Sequence, residues 1–122
     1  MILAHWTYTR EEWKNFMRWT QRKKSFFHYI WHIIAPGKQR QTPEVRITRE
    51  RVWIGEGQQL FRNEGHSLKA ISIRNEGNLN IMEITFEQNA RGLNEIRVPV
   101  PKGKLREAIA IQDKIINPLY PC

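Results

Sequence analysis

Two histidines that lie four residues apart are the first candidates for chemistry in this chain. His28 and His32 would share one face of a helix, and two imidazoles at this spacing can bind one metal ion. In the zinc-protease pattern a glutamate follows the first histidine, but here Tyr29 occupies that position. Both histidines lie in an apolar run, where packed rings with hydrogen-bonded nitrogens are more common than metal ligands. We therefore predict that the chain binds no metal ion and needs no cofactor.

The other residues form no recognised catalytic arrangement. The sequence has no glycine-rich phosphate loop, no nucleophile elbow and no pair of cysteines, since Cys122 is the only cysteine. The carboxylates are scattered among Lys and Arg, so no catalytic pair stands out. We therefore expect that the protein is not an enzyme. A single cysteine is compatible with a reducing compartment, and we expect a cytoplasmic protein.

Positive charge is concentrated in the first part of the sequence. The net charge is +8, and residues 1–50 contain ten Lys and Arg against four Glu. Residues 51–122 contain ten Lys and Arg against eight Asp and Glu. This distribution favours an anionic partner, and a merely solvated basic surface is the alternative interpretation. The predicted anion-binding or partner-binding residues flank the apolar run and are Arg22, Lys23, Lys24, Lys38 and Arg40.

The apolar run itself, from Phe26 to Ala35, is the second candidate for an interaction. It is too short for a transmembrane helix, which needs about 20 residues, so any membrane contact should be peripheral, at the inner face. Its periodicity does not distinguish a buried helix or strand, an interfacial segment and a partner surface. Because apolar side chains must be covered, we expect partial burial in a homodimer. The candidate interface residues are Phe26, Phe27, Tyr29 and Trp31.

The hydrophobic pattern predicts one α+β domain over residues 1–122. Residues 1–35 are expected to form a strand, a helix and the apolar run, and residues 36–43 an exposed linker. Thr9-Arg10-Glu11-Glu12 is a capping box that predicts the start of the helix, and the side chains predicted on its core face are Trp13, Phe16, Met17 and Thr20. Residues 44–101 carry the short alternating runs and turn signals of antiparallel strands. Asn63-Glu64-Gly65 and Asn75-Glu76-Gly77 predict tight turns in which the glycine has a positive φ, and Asn89-Ala90-Arg91-Gly92 predicts a reversal of the chain. Residues 102–117 have the pattern of a closing helix. We expect a curved antiparallel sheet or a partly open barrel with an N-terminal and a C-terminal helix.

The stretch from Leu79 to Ile116 is the most strongly patterned part of the chain. Met82 and Ile84 alternate with Glu83 and Thr85, which predicts a strand that is buried on one face only. Pro99 cannot donate to a ladder and predicts an edge strand or a bulge. After Pro101 the apolar period becomes helical. The helix face predicted to be buried comprises Leu105, Ala108, Ile109, Ile115 and Ile116, with Leu105 and Ile109 on the sheet.

Three segments occur in an order known from one protein family. A strand leads into Tyr8-Thr9-Arg10-Glu11-Glu12-Trp13 and an early helix, and about five short strands come later. Ile96-Arg97-Val98-Pro99-Val100-Pro101 then leads into the closing helix. In this order the chain resembles the bacterial pleckstrin-homology-like domains of the YcxB type. The resemblance implies a partly open barrel capped by a C-terminal helix, with no established catalytic residues. That family typically has a transmembrane hairpin after the early helix, and Phe26 to Ala35 is too short for one.

Three kinds of function are compatible with the sequence. The first is a binding or assembly module on a pleckstrin-homology-like fold, contacting an anionic membrane surface or an acidic protein. The second is a homo-oligomeric scaffold in which the apolar run is buried between subunits. The third is a single-stranded nucleic-acid-binding protein in which Trp31 or Trp53 stacks on bases. We rank them in this order, because the strands lack the aromatic motif of a dedicated RNA-binding sheet.

Overall fold

The computed structural model describes residues 2–22, 42–89 and 92–116, which form seven strands and two helices. The strands make two antiparallel sheets with the orders β1-β2-β3-β4 and β5-β6-β7. The predicted α+β class is confirmed, and the described strands do not close into a barrel. The elements are β1 (Ala4–Trp6), α1 (Arg10–Arg22), β2 (Val45–Ile47), β3 (Arg51–Ile54), β4 (Gly57–Leu60), β5 (His66–Glu76), β6 (Leu79–Gln88), β7 (Gly92–Val100) and α2 (Leu105–Ile116).

The four-stranded sheet follows the alternation of its sequence. Trp6 lies opposite Val45, and Val45 lies opposite Ile54, so the three side chains share the inner face. All three are buried. Because side chains alternate between faces, the intervening residues point to the other side of the sheet. This outer face is described below as a candidate site.

The three-stranded sheet is built around β6, which is paired on both sides. Ile84 lies opposite Ile71 of β5 and Ile96 of β7, and all three side chains are buried. Gly92 begins β7 with a φ of 77°, a conformation that favours glycine and fits the predicted reversal of the chain. Pro99 lies in β7, an edge strand of this sheet, as its missing N–H predicts.

The prediction that β6 is buried on one face only is wrong. Glu83 was expected on a polar face, but only 5% of its surface is exposed. The reason is that α1 packs against β6 and β7 and covers this face. The burial of Glu83 therefore depends on a helix that is distant in sequence.

The start of α1 is fixed by the predicted capping box. Thr9 N donates to Glu12 Oε1 at 2.8 Å, and Glu12 N donates to Thr9 Oγ1 at 3.1 Å. The second carboxylate oxygen of Glu12, Oε2, accepts a hydrogen bond from Lys102 N at 2.8 Å. One carboxylate therefore caps the helix and also joins it to the turn between β7 and α2.

Aromatic side chains connect the first turn of α1 with its last turns. The ring centroids of Tyr8 and Trp13 are 5.4 Å apart, those of Trp13 and Phe16 5.3 Å, and those of Phe16 and Trp19 6.3 Å. Phe16 and Trp19 are buried, whereas Trp13 and Met17 are only partly buried. The inward position predicted for Phe16 is confirmed, and Trp19 is an additional core residue that the spacing did not indicate.

Two polar contacts join the N-terminal strand to the C-terminal part of the chain. Trp6 Nε1 donates to Glu107 Oε1 of α2 at 2.8 Å, and the Tyr8 hydroxyl donates to the carbonyl oxygen of Pro99 at 2.7 Å. Burial, aided by the charge of Glu12, raises the pKa of Tyr8 well above its ordinary value. Tyr8 is therefore a permanent donor at neutral pH.

The buried face of α2 differs from the prediction. Ala108 and Ile115 are buried as expected, and Ile111 is the third buried residue of the helix. The exposed fractions of the other predicted residues are 40% for Leu105, 47% for Ile109 and 49% for Ile116. The prediction that Leu105 and Ile109 lie on the sheet is therefore wrong. The apolar residues of α2 form two adjacent stripes, and periodicity alone does not show which stripe faces the core.

Two local predictions also need correction. Pro43 was assigned to an exposed linker, but it is buried beside the start of β2. Gly65 was expected to have a positive φ in an Asn-Glu-Gly turn, but it does not, although Gly77 in the second such turn does, at 67°. At the first turn Asn63 Oδ1 accepts a hydrogen bond from Gly65 N at 2.7 Å, so a side chain supports the reversal.

The corrected face of α2 gives a direct test of stability. Ile111→Ala should lower the free energy of unfolding by about 2–5 kcal/mol, because it opens a cavity in the core. Leu105→Ala on the exposed stripe should change it by less than about 0.5 kcal/mol. Both values can be measured by urea denaturation at low protein concentration. Equal losses for the two variants would contradict the packing of α2 described above.

The hydrogen bonds of Glu12 lead to a second prediction, which concerns stability and its dependence on pH. Burial raises the pKa of Glu12, but the hydrogen bonds from Thr9 and Lys102 and the Lys102 charge outweigh this and lower it below its ordinary value. Glu12→Ala should therefore cost about 1–2 kcal/mol of stability at neutral pH. Because the pKa is lowered by folding, this stabilisation is present above the unfolded-state pKa and is lost as pH falls through the folded-state pKa. Glu11→Ala, a neighbouring exposed carboxylate, is the control and should show a smaller loss.

Candidate functional site

A row of polar and aromatic side chains crosses the outer face of the four-stranded sheet. His5 lies opposite Arg46, Arg46 lies opposite Trp53, and Trp53 lies opposite Gln58. Because directly opposed residues share one face, the row contains one side chain from each strand. His5 and Gln58 are exposed, and Arg46 and Trp53 are half-buried.

Trp53 holds two guanidinium groups on this face. The Cζ atoms of Arg46 and Arg51 lie 5.3 Å and 5.4 Å from the centre of its ring, within the range of cation–π interactions. Arg51 Nη1 also donates to Gln58 Oε1 at 2.8 Å. No carboxylate of the described residues forms an ion pair with Arg46 or Arg51. The arrangement thus orients two positive charges without neutralising them.

The β1 edge of the row differs in charge from its centre. His5 Nε2 lies 3.0 Å from Glu44 Oε2, and both side chains are exposed. The β1 edge therefore carries an acidic side chain, whereas the centre of the face is basic and is formed by Arg46, Trp53 and Arg51. We call these three residues the Arg–Trp–Arg cluster.

A second polar cluster lies under α1, on the three-stranded sheet. Glu83 Oε1 is 3.4 Å from Arg74 Nε, and Glu83 Oε2 is 3.3 Å from Arg97 Nε. Arg97 also donates to Glu95, and its guanidinium lies 5.2 Å from the centre of the Trp19 ring. The two carboxyl groups are therefore bridged by one guanidinium that the indole covers.

The protonation of this cluster is shifted by its surroundings. Burial raises the pKa of Glu83, and the charge and hydrogen bond of Glu95 raise it further, while Arg74 and Arg97 oppose the shift. Glu83 is only 5% exposed and is paired with Arg74 and Arg97, so it is poorly accessible to a substrate. The cluster is therefore better suited to holding α1 on the sheet than to catalysis.

An open cleft of about 810 Å³ lies beside this buried cluster. Its walls are α1, the turn between β5 and β6, and the connection from β7 to α2. Asn15, Asn78 and Asn80 line it together with charged residues, and Trp19 stands between the cleft and Arg97. The cleft can form hydrogen bonds, but its charges are mixed and do not select one class of ligand.

Most of the predicted site residues fall outside the part of the chain that is described. Arg22 is the last residue of α1. The other predicted anion-binding or partner-binding residues and the four predicted interface residues lie in residues 23–41, outside the described ranges. They are Lys23, Lys24, Lys38, Arg40, Phe26, Phe27, Tyr29 and Trp31. These assignments stay predictions.

The Arg–Trp–Arg cluster was only partly visible in the sequence. Trp53 was considered as a stacking residue, but Arg46 and Arg51 were not selected. A usable signal existed, because Val45-Arg46-Ile47 and Val52-Trp53-Ile54 alternate in phase. If the two segments pair as a hairpin with their apolar residues on one face, Arg46 and Trp53 must share the other. The Glu83–Glu95 pair had no such signal, since it depends on register and on cover by α1.

The described residues contain neither a group of metal ligands nor a membrane-spanning helix. In residues 2–22, 42–89 and 92–116 no three His, Cys, Asp or Glu side chains are grouped so that they could hold a metal ion. His28 and His32 lie outside these ranges. Neither α1 nor α2 is long and apolar enough to cross a membrane.

The buried carboxylate predicts an unusual dependence of stability on pH. The folded state binds the proton of Glu83 more tightly than the unfolded state does, because folding raises its pKa. The stabilisation of the folded state by protonated Glu83 is therefore complete below the unfolded-state pKa and is lost as pH rises through the folded-state pKa. In Glu83→Gln the side chain at this position cannot lose a proton. The free energy of unfolding of this variant should therefore increase with pH relative to that of the wild type. Glu87→Gln, an exposed change on the same strand, is the control for replacing a carboxylate by an amide, and urea denaturation across pH measures the stability of both variants.

No protein-family model, curated protein or solved structure matches this chain. The resemblance to pleckstrin-homology-like domains of the YcxB type therefore stays a prediction.

Proposed function

We propose that this protein is a non-catalytic binding module that contacts an anionic partner through the outer face of its four-stranded sheet. The observation that carries the proposal is the Arg–Trp–Arg cluster, in which Trp53 lies within cation–π distance of Arg46 and Arg51. The partner is an anionic membrane surface or an acidic protein, met at the inner face of the membrane or in the cytoplasm.

The geometry favours recognition of phosphate or carboxylate groups. A guanidinium can donate two parallel hydrogen bonds to either group. Contact with the Trp53 ring reduces the side-chain freedom that Arg46 and Arg51 would lose on binding, so the entropic cost is lower. Near an anionic membrane each basic residue contributes about 1 kcal/mol, and the contribution decreases with added salt.

Charge outside the described residues supports the same proposal. All twelve acidic residues lie in the described ranges, where they offset most of the Lys and Arg. Lys23, Lys24, Lys38, Arg40 and Arg91 lie outside these ranges, with no acidic residue among their undescribed neighbours. These cations add to the long-range attraction for an anionic partner. Short-range contact is assigned to the Arg–Trp–Arg cluster.

The alternatives have weaker support in the described residues. A base that stacks on Trp53 would have to share or displace the guanidinium groups of Arg46 and Arg51, so single-stranded nucleic acid ranks lower. A catalytic function would depend on Glu83 and Glu95, whose side chains are largely buried and paired with Arg97. The scaffold predicted from Phe26 to Ala35 depends on residues that are not described.

The fold assignment is part of the same proposal. The two sheets remain separate and α2 packs against β5 at the end of the chain. This order supports the partly open barrel with a C-terminal helix that the pleckstrin-homology-like resemblance implies. A module of this kind would present the four-stranded sheet as an accessible face.

Vesicle binding tests the proposal directly. We expect the wild type to bind vesicles that contain phosphatidylserine and not vesicles of phosphatidylcholine alone, with affinity falling as salt is added. Arg46→Gln with Arg51→Gln should weaken binding by about tenfold or more, because two contact charges of about 1 kcal/mol each are lost. Co-sedimentation with vesicles at several salt concentrations measures both effects.

A charge-matched variant separates contact from net charge. Lys14→Gln with Lys69→Gln removes the same charge from exposed positions elsewhere and should weaken binding much less. Equal effects of the two double variants would contradict the assignment to the sheet. Binding of polyglutamate in place of vesicles would identify an acidic protein as the partner class. Binding of a single-stranded oligonucleotide alone would replace the proposal with the nucleic-acid alternative.

A further inference from the structure

One face of α2 is apolar and exposed. Leu105, Ile109 and Ile116 are 40%, 47% and 49% exposed, which are high values for such side chains. Gln112 continues the row, so the intervals are four, three and four residues, but its half-buried side chain donates to the carbonyl oxygen of Ile71 at 2.6 Å and is held on β5. These intervals are those of the a and d positions at which one helix packs along another. The face lies beside the stripe that packs on the core, so α2 can serve both contacts.

The charges that flank this face are placed for pairing with a second copy. Arg106 and Asp113 are both exposed, and they lie seven residues apart on the side of the face away from Ala108 and Ile115. Neither forms an ion pair with a described residue. One residue is basic and near the N-terminal end of α2, and the other is acidic and near its C-terminal end.

We propose that α2 pairs in antiparallel orientation with α2 of a second copy of this chain. A two-fold axis near residue 110 places Leu105 opposite Ile116 of the second copy and Ile109 opposite its Gln112. The same axis brings Arg106 next to Asp113 of the second copy, and the contact occurs twice. The surface is therefore complementary to itself in shape and in charge, as an isologous dimer interface requires.

Charge complementarity selects this orientation over the alternatives. In a parallel two-fold pair these flanking residues of the two helices lie on opposite sides of the seam, so Arg106 and Asp113 would have no oppositely charged partner across it. An unrelated basic or acidic partner would match one of the two charges and repel the other. The face is small compared with interfaces of obligate dimers, so the dimer should be weak and should dissociate on dilution.

This interface is separate from the one predicted from the sequence. That prediction used Phe26, Phe27, Tyr29 and Trp31, whereas the helix face uses residues 105–116. It is also separate from the Arg–Trp–Arg cluster on β2 and β3. Failure of the dimer would therefore leave the proposed function untouched.

Charge-swap variants test the pairing. Arg106→Asp makes both flanking charges acidic, and Asp113→Arg makes both basic. Each variant alone should self-associate about tenfold more weakly than wild type, or more, because both cross-pairs become repulsive. An equimolar mixture of the two should regain association, because every cross-pair is again Arg with Asp. Sedimentation velocity over a concentration series, with a reductant to prevent cross-linking through Cys122, measures this.

Two further variants separate loss of the interface from loss of the fold. Ile109→Glu should abolish association while the thermal midpoint at low concentration stays close to wild type, since Ile109 is exposed. Leu93→Gln, at an exposed apolar residue of β7, should leave association unchanged. A wild type that stays monomeric at all concentrations would overturn the proposal. A dimer that ignores both charge swaps, or swapped variants that do not recover on mixing, would also overturn it.

Discussion

Burial of β6 on both faces is the constraint on which the rest of the structure depends. One face carries apolar residues such as Ile84, which pack with neighbours on β5 and β7. The other face carries Glu83, and α1 covers it. A buried carboxylate is costly unless it is paired or protonated, so Arg74 and Arg97 must be close to it, while the adjacent Glu95 disfavours its charged form. The position of α1 is coupled to the charge of this cluster.

The position of α1 also depends on the carboxylate of Glu12. Glu12 caps α1 and also accepts a hydrogen bond from Lys102, so it aligns the helix with the end of the sheet. Trp19, near the other end of α1, covers Arg97. The helix is thus held at both ends by polar contacts and between them by buried Phe16. Polar side chains specify where the helix lies, and apolar burial supplies most of the stability.

We propose two interaction surfaces among the described residues. The outer face of the four-stranded sheet exposes guanidinium groups that Trp53 orients, and α2 exposes an apolar stripe with Arg106 and Asp113 beside it. The first surface suits an anionic partner, and the second suits a second copy of the chain. A weak dimer would present two binding faces together, so their affinities for a repetitive surface would combine.

Local sequence patterns predicted the features that depend on interactions between residues close together in the sequence. The sequence by itself determined the α+β class, the capping box at Thr9 and Glu12, the turn at Gly92 and the edge position of Pro99, because each depends on nearby backbone geometry. Tertiary structure alone decided that Glu83 is buried, that Arg46 and Arg51 meet Trp53, and that Ile111 rather than Leu105 and Ile109 packs inward. These outcomes depend on which face a distant element covers. Two faces with similar apolar content look alike until that element is in place.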